Sequence, residues 1–134
     1  MRIGTVLLAA AFAAPALAGD KPAVKELPTK DLKVTFNEKA TANAPTEIKT
    51  ADELAKSVLK DAADAIKKNV DFAKEKVVVF MWQGSGGDRI TGTLSKDGKS
   101  AEFAHAFGLT FDLRQHTKVF VVPKDAATKY VRAK

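Results

Sequence analysis

Hydrophobic and polar residues follow a different rhythm in each part of the chain, and each rhythm predicts an element. In "LKVTF", Leu32, Val34 and Phe36 alternate with polar neighbours, the period of a strand with one buried face. The polar loop "NEKATANAP" follows, and "TEIK" (46–49) reads as a short edge strand. Thr50 then precedes a helical period, with Glu53 three residues on to complete a capping box. At about 100° per residue, Leu54, Ala55, Val58, Leu59, Ala62, Ala65, Ile66 and Val70 share roughly 160° of arc. Glu53, Lys56, Lys60, Asp61, Asp64 and Lys67 lie on the other side. Burial is worth roughly 1.5–3 kcal/mol per large aliphatic side chain, so such a helix docks on a sheet.

"KVVVFMW" (76–82) is β-branched and aromatic without alternation, as in a strand covered on both faces. One helix covers one face. The N-terminal strand, the C-terminal segment or a second subunit must cover the other. "RITGTLSKDGKSAEFAHAF" reads as a hairpin with Asp97-Gly98 as a two-residue type I′ loop. That register sets Leu94 opposite Ala101, Gly92 opposite Phe103 and Ile90 opposite His105, with the Phe103 ring filling the space Gly92 leaves. "TKVFVVP" supplies a last strand ended by Pro123, and the basic tail 126–134 frays or forms one helical turn. The expected fold is α+β, one principal amphipathic helix packed on an antiparallel-dominated sheet of about five to six strands.

Composition places this fold in a compartment. Arg2, the apolar run from Ile3 to Ala14 and the small residues Ala16 and Ala18 form a secretory signal peptide over residues 1–18, cleaved between Ala18 and Gly19. The expected product is exported, periplasmic or extracellular, without a stable membrane anchor. Residues 19–30, with Pro22 and Pro28, read as a flexible arm ahead of a single domain at 31–125. The chain has no cysteine, which excludes thiol catalysis, iron–sulfur clusters and thiolate zinc sites. The formal charge of +6, of which Arg2 contributes one, is spread along the chain. No Lys/Arg block interleaved with aromatics marks a nucleic-acid groove.

The conspicuous polar motif is "QGSGGDR" (83–89). A phosphate loop needs a lysine and a following helix, whereas Asp88 and Arg89 lead into a strand pattern. A nucleophile elbow needs glycine two before Ser85, where Gln83 stands. The motif therefore predicts a solvent-exposed hairpin loop, with Gly84, Gly86 and Gly87 free to adopt positive φ. His105 falls on the apolar face of the predicted hairpin, as a neutral core histidine. In "FDLRQH" an extended backbone projects Asp112, Arg114 and His116 to one side, suited to an ion-pair ladder or to an acidic partner. Two isolated histidines without compact ligand spacing make a poor zinc signal. No metal or cofactor is expected.

From about Thr46 to Lys124 the chain resembles the PrcB C-terminal-domain family, exported bacterial proteins associated with a surface protease complex. "NVDFAKEKVVVFMWQGSGGDRITGTL" and "KVFVVPK" carry the resemblance, and "WQGSGGDRIT" with "DLRQH" is similar to related exported bacterial proteins. It implies a small non-catalytic module that binds a protein or stabilises an envelope complex, and it implies no catalytic residue. On this reading Ser85, Asp88, Arg89, Asp112, Arg114 and His116 form the contact surface, and the partner is another exported protein. The alternative is a small hydrolase or ligand-binding protein that uses Ser85, Asp88, His105 or His116. The two differ in whether Ser85 meets a histidine in a concave pocket.

Overall fold

A computed structural model describes residues 24–30 and 32–133. The predicted signal peptide lies outside these residues. The fold is mixed but mostly β, with seven strands among the described residues, arranged as two sheets. The strands are β1 (Lys25–Leu27), β2 (Thr46–Ile48), β3 (Glu75–Gly84), β4 (Arg89–Leu94), β5 (Ser100–Ala106), β6 (Arg114–Pro123) and β7 (Ala127–Arg132). Sheet order is β1-β6-β3-β2 in the first and β4-β5-β7 in the second, with only β5 and β7 parallel. The single sheet expected from the sequence is thus two sheets.

The unalternating β3 explains why. Val77, Val79 and Met81 point into a core shared with Leu54, Leu59, Ile66 and Val70 of the helical segment. Val78, Phe80 and Trp82 point the other way, into a second core with Ile90, Phe103 and Phe120. Phe80, Phe103 and Phe120 meet there with ring centroids 4.8–5.8 Å apart. Both faces of β3 are covered from within the chain, by helices on one side and the second sheet on the other.

The predicted long helix is broken. α1 (Ala51–Ala55) begins at the expected cap, where Thr50 Oγ1 accepts from the Glu53 amide at 3.1 Å and Glu53 reaches back to the Lys49 amide. At Ser57 the hydroxyl donates to the Leu54 carbonyl and accepts from the Leu59 amide, competing with the helical pattern. The Val58 carbonyl is taken by the Thr35 amide. Helix resumes only as a 3-10 turn (Lys60–Ala62) running into α2 (Ala63–Lys67). The buried face nevertheless follows the predicted period through Leu54, Leu59, Ala62, Ile66 and Val70.

Three further expectations are corrected. Leu32, Val34 and Phe36 pack against the first core, but no ladder forms there: the Thr35 amide donates to the Val58 carbonyl, and β1 from the predicted arm takes the edge of β6. The basic tail is strand β7, paired in parallel with β5. In the β4–β5 hairpin the predicted register holds from Ile90↔His105 to Leu94↔Ala101, yet the turn is longer than two residues. The Ser95 amide donates to the Ser100 carbonyl and the Gly98 amide to the Ser95 carbonyl, with Gly98 at φ 73°. Asp97 closes that turn by accepting from Ser95 Oγ and the Lys99 amide.

Candidate functional site

Residues 83–89 do not close a hairpin. β4 pairs with β5 and not with β3, so the loop carries the chain from the first sheet across to the second. Its glycines do not adopt positive φ; Gly98 is the one described glycine that does. They are needed for close approach instead. A Cβ on Gly84 would strike the Asp88 carboxylate, and one on Gly86 would lie 2.6 Å from Asp112 Oδ2. A Cβ on Gly108 would lie 2.6 Å from the Gly87 backbone. The loop and the segment after β5 press together, and only glycine fits between them.

Asp88 is the buried centre of this contact. Its Oδ1 accepts from the Gly108 amide at 2.7 Å and its Oδ2 from Trp82 Nε1 at 3.0 Å. Burial disfavours its charge, but the Gly108 amide, the Trp82 indole and neighbouring His105 outweigh that and hold the carboxyl below its ordinary range. His105 Nε2 lies 3.6 Å from Asp88 Oδ2, beyond hydrogen-bond distance, and has no other partner among the described residues. Its Nδ1 shares a 2.7 Å hydrogen bond with the Tyr130 hydroxyl. The Asp88 charge beside Nε2 favours the proton there, which makes Tyr130 the donor. Burial is the main influence on His105 and pushes its pKa down despite Asp88. Burial likewise pushes the Tyr130 phenol up. His105 is therefore the neutral core histidine that its place in the hairpin predicts.

Ser85 lines the same cavity as Asp88 and His105, but its hydroxyl has other partners. Its Oγ accepts from the Gly87 amide at 3.2 Å and the Thr110 amide at 3.1 Å, and pairs with Thr110 Oγ1 at 2.6 Å. Among the described residues no histidine nitrogen bonds this hydroxyl. His116 Nε2 donates to the Ser85 carbonyl at 2.7 Å while its ring stacks on Trp82. Asp112 Oδ1 accepts from the Gly86 amide and Oδ2 from Arg114 Nε at 2.7 Å. The Thr110 hydroxyl first, then the Gly86 amide and Arg114, lower the Asp112 pKa to about 2. The structure thus gathers Ser85, Asp88, Asp112, Arg114 and His116 around one loop. Arg89 is exposed opposite Ala106 and takes no part in the network.

The network fastens residues 107–113 to the body of the protein through their even positions: Gly108 to Asp88, Thr110 to Ser85, Asp112 to Gly86. The odd positions face solvent. Phe107 is 47% exposed, Leu109 93%, Phe111 105% and Leu113 74%. These are the exposed large hydrophobic residues of the described chain, and they form one row. Sequence reasoning missed the row, although Phe-x-Leu-x-Phe-x-Leu alternation was its signal. Alternation announces an apolar face without saying whether the chain itself covers it.

No protein-family model, curated protein or solved structure matches this chain. Function must be read from the site itself. Beside the row opens a cavity of about 630 Å³, walled by Trp82, Phe107 and Tyr130, with Glu38, Ser85 and Arg132 among its polar lining. The Arg132 guanidinium lies 4.6 Å from the centroid of the Phe107 ring. Among the described residues no cluster of three or more metal-ligating side chains occurs, and no helix is long and apolar enough to cross a membrane.

Proposed function

We propose that this chain is an exported, non-catalytic protein-interaction module whose contact surface is the row Phe107, Leu109, Phe111 and Leu113. The supporting observation is a paradox of burial: three large apolar side chains stand almost wholly in water on a segment anchored along its opposite side. A folded chain gains nothing by holding them there. A partner that covers them gains on the order of 1.5–3 kcal/mol for each. The residues predicted as the contact surface take a different role in this reading. Ser85, Asp88, Asp112 and His116 frame the row and hold it outward, and preorganisation of this kind lowers the entropy cost of docking. The resemblance to the PrcB C-terminal-domain family points to the same class of function, and the leader-like residues 1–18 are the support for export in this reading.

The hydrolase alternative draws less support. The Ser85 hydroxyl is consumed by Gly87 and Thr110, and His116 approaches its carbonyl. The test is affinity capture from the envelope fraction with the mature protein and with a Leu109→Ser/Phe111→Ser variant. A protein captured by the first and lost with the second, both folded, is the expected result. Equal capture by both would refute the surface assignment.

A further inference from the structure

The apolar row and the cavity share Phe107, and this sharing constrains what can dock. Phe107 is the first member of the row, a wall of the cavity and the ring on which Arg132 rests. Arg132 is exposed and forms no ion pair among the described residues, whereas Arg114, beside the other end of the row, is neutralised by Asp112. The ends of the row therefore differ in charge. Of the two carboxylates that line the cavity, Asp88 is buried and occupied by Trp82 and Gly108. Glu38 is exposed.

We infer that the row and the cavity form one track, and that its occupant is an extended polypeptide with alternating apolar residues and a carboxylate side chain at one end. This rests on the reading of the row as a protein-docking surface. The apolar alternates of the occupant lie against Leu113, Phe111 and Leu109. Its carboxylate passes Phe107 into the mouth of the cavity and pairs with Arg132, where the aromatic walls exclude part of the solvent and strengthen the pair. The apolar positions of the row recur at every second residue, the period with which an extended occupant presents one face. Without Arg2 of the predicted leader, 21 basic residues stand against 16 acidic ones, a charge of +5 that favours an acidic segment over a basic one.

Trp82, the single tryptophan of the chain, lines the cavity and reports on occupancy. The probes are synthetic peptides of four alternating valine-threonine pairs, capped at both ends and carrying a terminal glutamate, glutamine or lysine. Titration into the folded protein, followed by Trp82 emission, should give saturable binding in the order glutamate, glutamine, lysine. Arg132→Gln should weaken the glutamate peptide about fivefold, the scale of a partly exposed ion pair. Glu38→Gln should tighten it, and added salt should narrow the gap between the peptides. Equal affinity for the three peptides, or no binding by any at millimolar concentration, overturns the inference. If the peptides fail while the row variant still abolishes capture from the envelope fraction, the docking surface stands and only the occupant is wrong. Co-sedimentation with vesicles of phosphatidylcholine and phosphatidylglycerol, lost in Leu109→Ser/Phe111→Ser, would replace the polypeptide with a lipid surface and overturn both readings.

Discussion

Replacing Asp88 with alanine tests whether one buried carboxylate holds the glycine loop, the apolar row and the two sheets together. The substitution leaves the Trp82 indole N–H and the Gly108 amide without their acceptor, in a place where the carboxylate itself is almost wholly buried. A buried donor deprived of its partner costs about 1–3 kcal/mol, and bonds to a charged acceptor fall toward the upper part of that range. Partial relaxation of the Gly108 segment into water offsets some of the loss, so we expect about 3 kcal/mol in total. With a urea m-value of about 1.5 kcal/mol/M, the midpoint falls by about 2 M. Trp82 emission is the natural probe, since the indole loses a hydrogen bond and the native baseline should move as well. Asp88→Asn keeps one carbonyl oxygen and should fall between the wild type and alanine. The sign with pH follows from the lowered pKa. The stabilisation is fully present above the unfolded value near 3.8 and is lost as pH falls through the lower folded value, so this acid-induced loss should be missing in Asp88→Ala. A loss below about 1 kcal/mol with an unchanged native emission spectrum would refute the account of Asp88 as the central acceptor.

Gly108→Ala should loosen the row, because its Cβ meets Ser85 Oγ and, at 2.6 Å, the Gly87 backbone, which cannot swing aside as a side chain can; faster chymotryptic cleavage at Phe107, Leu109 or Phe111 would register it. Lys76→Met should cost about 1–3 kcal/mol in thermal unfolding, since the buried ammonium donates to the Ala126 carbonyl at 2.7 Å and pairs with Glu47, joining the first sheet to the approach to β7. His105 is held neutral by burial, so the unfolded chain binds its proton first: stability should fall as pH drops below about 6.5 and level off beneath the lower folded pKa. His105→Gln should flatten that slope in urea midpoints measured across the range. N-terminal sequencing of the exported form should begin at Gly19, and intact Met1 or Arg2 in that fraction would refute the cleavage assignment.

Local pattern carried much of this molecule. The face Leu54, Leu59, Ile66 was legible because helical period and apolar chemistry agree even where Ser57 interrupts the backbone. The Ile90–His105 and Leu94–Ala101 register was legible because the two strands are neighbours in sequence and Phe103 needs the space over Gly92. The unalternating "VVVFMW" announced burial on both faces, but not by what. A strand apolar on every side carries no mark of its partner, so the pairing of β3 with β6 and the crossing of the glycine loop to a second sheet were decided by long-range packing. The same holds for β7: its parallel partner β5 lies more than twenty residues away, and the Tyr130 hydroxyl meets His105 only across that pairing. The glycines of "QGSGGDR" advertised conformational freedom, yet Gly86 and Gly87 serve close contact with Asp112 and Gly108, residues more than twenty positions away. Of the row from Phe107 to Leu113, sequence determined the alternation alone. Its exposure follows from hydrogen bonds to Ser85, Gly86 and Asp88, because a strand's two faces become inside and outside only when something grips one of them.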